Sequence, residues 1–158
     1  VPHIPFQDLS IVYFYFMGNA GNRFMDIPVN DDLIRRWGVD TLTLHQQAMA
    51  NYNRLLPIKF GSLNQILLER GLLDKEDSAA LSENGWRDAL YCLTNEFSTG
   101  GAVLMTCKNL MDKIADFLGE DFYILPSSTH EVLLLPESRA PSKEELDQRI
   151  QEVNREAY

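Results

Sequence analysis

The run GEDFYILPSSTHEVLLLP, residues 119–136, narrows the possible folds more than any other part of this chain. It holds two unbroken apolar stretches, residues 122–125 and 132–135, on either side of a short polar corner. A strand with one wet face alternates apolar and polar side chains, whereas an unbroken run fits a strand covered on both faces. The centre of the fold is therefore expected to be a hairpin inside a sheet, with other elements packed over both sides. The corner itself, Pro126-Ser127-Ser128-Thr129-His130-Glu131, is the densest local set of residue types that catalysis uses.

Taken in order, residues 1–8 contain two prolines and no periodicity, which predicts an irregular lead-in. Residues 10–17, SIVYFYFM, are rich in β-branched and aromatic side chains and predict a strand. Glycines and asparagines over 18–22 predict a hairpin turn, with residues 24–29 returning antiparallel and Pro28 near the strand end. Asn30 is placed to cap a short helix over 31–37 that stops at Gly38. Asp40 or Thr41 starts the next helix, where Leu44, Ala48, Tyr52 and Leu55 make an apolar stripe ending at Pro57. His45 lies one step off that stripe, at a boundary position.

A short strand over 58–60 precedes a capping box at Ser62–Gln65, which opens a helix ending at Gly71. The acidic stretch 72–87 predicts a surface helical excursion that Trp86 anchors. Residues 88–94 and 102–105 then predict a hairpin pair around the loop 95–101, and Thr106 caps a helix running through Leu118. After Pro136, a capping box at Ser142–Glu145 opens a closing helix with Leu146, Ile150, Val153 and Ala157 on one side. About six strands, mostly joined as hairpins, and four or five helices give an α+β fold with a largely antiparallel or mixed sheet. The length of 158 residues fits a single domain over 1–158, with 142–158 as its C-terminal helix.

Composition restricts the partners. The chain carries 23 acidic against 14 basic residues, a net charge of −9. That balance argues against nucleic acid and anionic membrane surfaces, which select basic patches. No apolar run approaches the roughly 20 residues of a membrane-spanning helix. Cys92 and Cys107 lack metal-knuckle or redox-motif spacing, and two reduced, buried thiols in a cytoplasmic protein are expected. The chain opens on Val1 rather than Met, so a piece of a longer protein is expected.

Ser127 or Ser128 with His130 invites a hydrolase-like arrangement of nucleophile and base, the weak candidate for catalysis here. Glu131 adjoins His130 and, on a strand, points to the opposite face, so the orienting carboxylate would have to come from elsewhere. The serines also lack the strand-to-helix elbow of that chemistry. One His and one Glu leave a metal site short of ligands, and no metal or cofactor is nominated. A turn whose hydroxyls satisfy its own backbone accounts for the same residues without chemistry. A pocket for a small polar ligand, formed by Ser127, Ser128, His130 and Glu131 with Asn95, is the remaining possibility. The Gly100-Gly101 pair lacks the spacing of a phosphate loop and predicts a turn or close backbone packing.

VPHIPFQDLSIVY, LIRRWGV, NYNRLLP, LYCLTN with GGAVLM, and DFYILPSSTHEVLLLP follow one another in an order that resembles an uncharacterised bacterial family of unknown function, found in gut anaerobes. The resemblance covers nearly the whole chain and implies that this piece is the C-terminal half of a longer protein. It brings no activity, cofactor or catalytic residue. The expectation is a non-catalytic soluble domain that binds a protein partner, the missing N-terminal half, or a small polar ligand. The alternative is the hydrolase-like enzyme.

Overall fold

The computed structural model describes residues 1–20, 23–74 and 88–156; for residues 19, 20, 23, 24, 149 and 152–156 it describes the backbone alone. The excursion predicted over 72–87 therefore lies, from residue 75 onward, outside the described residues, as do Trp86, the centre of the predicted turn at 21–22, and the side chains of Val153 and Ala157. Internal contacts divide the chain into two compact units, Val1–Lys59 with Asn95–Thr99, and Phe60–Thr94 with Gly100–Tyr158.

In the first unit, β1 (His3–Phe6) and β2 (Leu9–Val12) form one antiparallel hairpin, and β3 (Phe14–Ala20) and β4 (Arg23–Pro28) form another. The lead-in expected over 1–8 is thus a strand, paired so that Phe6 faces Leu9 across a two-residue turn. The single strand expected over 10–17 is two strands broken at Tyr13. That residue turns inward and is only 5% exposed. Its carbonyl accepts the Val29 N–H at 2.9 Å and its hydroxyl lies 3.1 Å from His45 Nδ1, so the chain changes partner there.

Helix α1 (Asp31–Trp37) starts where Asn30 Oδ1 accepts the Leu33 N–H at 3.0 Å. It ends at Gly38, whose φ of 65° is a left-handed conformation that costs glycine little. Helix α2 (Thr41–Leu55) is capped by Asp40, which accepts the Thr43 N–H at 2.7 Å. These donors would otherwise lack partners at a helix start, so each cap contributes about 1 kcal/mol.

A four-stranded sheet has the order β5–β6–β8–β7, from β5 (Ile58–Ser62), β6 (Tyr91–Asn95), β7 (Phe122–Pro126) and β8 (Val132–Pro136); all but Ile58, Lys59 and Asn95 of it belong to the second unit. β6–β8 and β7–β8 are antiparallel, so the α+β reading holds. Burial of the central hairpin is uneven. Val132, Leu134 and Leu135 on β8 are fully buried, on both faces of that strand, whereas Ile124 on β7 is 37% exposed. Sheet order explains the difference, because β8 has a neighbour on each side and β7 lies at the edge.

Leu135 packs with Ala89, Leu90 and Leu146 into one cluster, so the closing helix is seated by Leu146. Helix α3 (Leu63–Glu69) is capped by Ser62, α4 (Lys108–Leu118) ends at Gly119, and α5 (Lys143–Glu156) starts where Ser142 Oγ accepts the Glu145 N–H. Among the described residues, no helix is long and apolar enough to cross a membrane.

Two expectations in this unit give way. The strand predicted over 102–105 is a 3-10 turn, Gly101–Thr106. Its first amides, Gly101 N–H and Ala102 N–H, donate to the carbonyls of His130 and Thr129 at 3.0 and 3.3 Å. The backbone is thereby satisfied without a strand ladder. The residue expected to cap α4, Thr106, instead donates its hydroxyl to the Val103 carbonyl, and the cap position falls to Cys107 without a side-chain bond. Residues 88–90 likewise precede the strand β6 rather than forming part of it.

Candidate functional site

The β7–β8 corner runs from Pro126, opposite Val132, through Ser127, Ser128, Thr129, His130 and Glu131. Strand pairing on both sides fixes its ends, and its own hydroxyls fix its middle. Ser128 Oγ accepts the His130 N–H at 3.0 Å, and Ser127 Oγ donates to the Glu131 carbonyl at 3.4 Å. Both serines are turned toward the backbone of their own loop.

His130 is held chiefly through its peptide group. Its carbonyl accepts the Thr94 hydroxyl at 2.8 Å and the Gly101 N–H at 3.0 Å. The imidazole is exposed, and its Nδ1 lies 3.3 Å from the Gly100 N–H. An amide nitrogen can only donate, so Nδ1 is the acceptor and the neutral ring carries its proton on Nε2. The outward edge of the ring is then a donor. A general base for a serine would need the opposite arrangement.

Glu131 points away from this face. Its carboxylate accepts Arg70 Nη1 at 2.8 Å and the Cys92 thiol at 3.7 Å. The side chains of Arg70 and Glu131 are 22% and 24% exposed, so the pair is partly shielded from solvent. No sequence signal could have found Arg70, which lies 61 residues away along the chain. The candidate carboxylate is thus committed to an arginine rather than to the imidazole.

Asn95 is assigned to the first unit and the four corner residues to the second. It is fully buried, and its amide is used in full. Nδ2 donates to Tyr52 Oη at 2.7 Å and to the Thr99 carbonyl at 2.6 Å, while Oδ1 accepts the N–H groups of Phe97 at 3.0 Å and Thr99 at 3.4 Å. A side chain with all its donors and acceptors engaged within the fold has none to offer a ligand.

Gly101 explains the glycine pair. A Cβ there would overlap the His130 carbonyl oxygen and lie 2.9 Å from Thr94 Cα. Close packing beneath the corner therefore requires glycine. Among the described residues no group of three metal-ligating side chains comes together. A shallow hollow of about 180 Å³ in the second unit is lined by Asp88, Tyr91, Glu120 and Arg139 among others, and includes none of the corner residues. It is smaller than the roughly 300–1,000 Å³ of ordinary ligand pockets. At its rim the Glu120 carboxylate accepts both the N–H and the hydroxyl of Ser138 at 2.7 Å, which holds its pKa below the usual carboxylate range.

Several exposed apolar side chains of the first unit gather on the β3–β4 ribbon. Tyr15 faces Ile27 across it, and Met25 lies two residues from Ile27 on the same face. They are 50%, 40% and 47% exposed. The Trp37 ring, 41% exposed, lies 5.7 Å from that of Tyr15. Met17, 60% exposed, sits in the bulge between Phe16 and Gly18. The strand itself was legible in the sequence; its exposure was not, because a run so rich in apolar side chains reads as a covered strand.

No curated protein and no solved structure matches the chain. A family model does, along its whole length: the chain belongs to the Family of unknown function (DUF5688), which matches residues 1–158.

Proposed function

We propose that this chain is a non-catalytic binding domain that engages a protein partner through the β3–β4 ribbon of its first unit. The observation that carries this is the exposed group Tyr15, Met17, Met25, Ile27 and Trp37. Large apolar side chains gathered on one ribbon mark interaction surfaces, and methionines adapt to a partner's shape. The same reading makes the corner a structural knot, since its serines serve their own backbone and His130 presents a donor. It takes the chain as the C-terminal half of a longer protein of gut anaerobes, as the resemblance implies. A reducing cytoplasm fits Cys92 and Cys107, neither of which is in a disulfide.

The test is a photo-crosslinking side chain placed at Met25, with Leu72 of the second unit, 70% exposed, as the control site. Irradiation of cells making the protein should give a discrete polypeptide adduct from position 25 and none from position 72. No adduct at 25, or the same adducts at both sites, overturns the proposal. A hydrolase would instead lose a measurable activity in His130→Ala with the adduct unchanged.

A further inference from the structure

We infer that the partner seated on the ribbon is a second copy of this chain, an inference that rests on the partner surface proposed above. Area is the first argument. A fully exposed side chain of this size offers on the order of 200 Å², so Tyr15, Met17, Met25, Ile27 and Trp37 at their observed exposures present roughly 500 Å² per copy. Two such surfaces face to face bury about 1,000 Å², the area at which specific interfaces begin. A two-fold pairing uses the same patch twice and needs no second kind of surface.

Charge is the second argument. Of the 23 acidic residues, six lie in the first unit, against five of the 14 basic ones; the other 17 and nine lie in the second. The first unit is therefore close to neutral, and the net negative charge resides almost wholly in the second. The exposed part of the ribbon follows the same division, with Asp26 its one described acidic side chain. Two copies of a chain at −9 repel, but first units bring little net charge of their own to a contact between them. A strongly cationic partner would find its complement on the second unit.

The experiment is sedimentation velocity on the 158-residue chain across a concentration series, at low and at physiological ionic strength. The expected result is a monomer–dimer equilibrium that salt shifts by less than about threefold, since the unit in contact carries little net charge. Met25→Glu puts an unpaired carboxylate into the apolar contact and should weaken dimerisation at least about tenfold. Phe117→Glu, at the most exposed large apolar residue among those described in the second unit, should leave it unchanged. Met25 is exposed, so far-ultraviolet circular dichroism of Met25→Glu should match the parent; if it does not, Ile27→Lys on the same face replaces it in the series.

A chain that stays monomeric throughout overturns the inference. So does a dimer that survives both ribbon substitutions, one broken by Phe117→Glu, or one that forms only at high salt. A monomer that still gives a discrete adduct to another protein from position 25 removes the second copy and leaves the partner surface standing. A monomer with no adduct removes both.

Discussion

Replacing Asn95 with alanine measures how far an apparently available polar residue is already spent on the fold. The orientation of its amide is fixed by its neighbours: the Phe97 and Thr99 N–H groups can only donate, and the Thr99 carbonyl can only accept. Alanine would leave the Tyr52 hydroxyl and the Thr99 carbonyl without this partner. Both lie in half-buried residues, and each bond lost there costs about 1–2 kcal/mol. Phe97 is 40% exposed, so water reaches its amide and adds little to the loss. The expected destabilisation is about 2–4 kcal/mol, read as a lower urea midpoint at unchanged slope.

Asn95→Asp separates packing from hydrogen bonding. It keeps the acceptor for the two backbone amides, but a carboxylate at this fully buried position is disfavoured, so its pKa is raised in the folded state. The folded variant then holds its proton more tightly than the unfolded chain. Relative to the parent, it should be most stable below the ordinary aspartate pKa and lose stability as the pH rises toward its raised folded value. Asn95→Ala should show no such slope. A loss under about 0.5 kcal/mol for Asn95→Ala, the size of an ordinary surface substitution, would mean that the amide is free for a ligand and would refute this account.

Two further outcomes follow from local geometry. Gly101→Ala forces a methyl group into the His130 carbonyl and Thr94, and either backbone must move, so a loss of at least about 2–3 kcal/mol is expected in thermal or urea unfolding; a neutral variant would mean that the corner is not seated on the 3-10 turn. Glu120 titrates below its usual range because Ser138 donates twice to it, so its contribution is present above the ordinary glutamate pKa and is lost as the pH falls through the lowered folded value. Glu120→Gln should flatten the acid side of a stability–pH profile, and an unchanged profile would contradict the assigned pair.

The elements legible in the sequence were those whose signals are local. Asn30, Asp40, Ser62 and Ser142 cap helices where their types and spacing predicted. The unbroken run on β8 marked a strand buried on both faces. The β1–β2 hairpin was hidden because its turn, Gln7-Asp8, lacks the glycine or asparagine that usually signals one; Gln7 takes a φ of 53° without them. The sequence AVLM reads as a strand by composition, and only the fit of Gly101 beneath the His130 carbonyl makes it a 3-10 turn. At the corner, residue types pointed to chemistry while their bonding serves the backbone. Partners such as Arg70 and Glu131 are made by the fold and leave no trace in local spacing.

The five residues Asn95–Thr99 have a consequence for the order in which the protein is made. They belong to the first unit although they are separated from its other residues by the chain from Phe60 to Thr94. Asn95 anchors them there through Tyr52, and Glu96 donates its N–H to the Pro57 carbonyl at 3.0 Å. After Lys59 is synthesised, roughly 40 more residues must follow before the first unit has all its parts, about 2–8 s at ordinary elongation rates. Through that interval the end of α2 waits for a strand end that the ribosome has not yet delivered. A messenger that slows translation between these points would lengthen the time before Asn95 reaches Tyr52, and a chain released after Lys59 would lack that bond altogether.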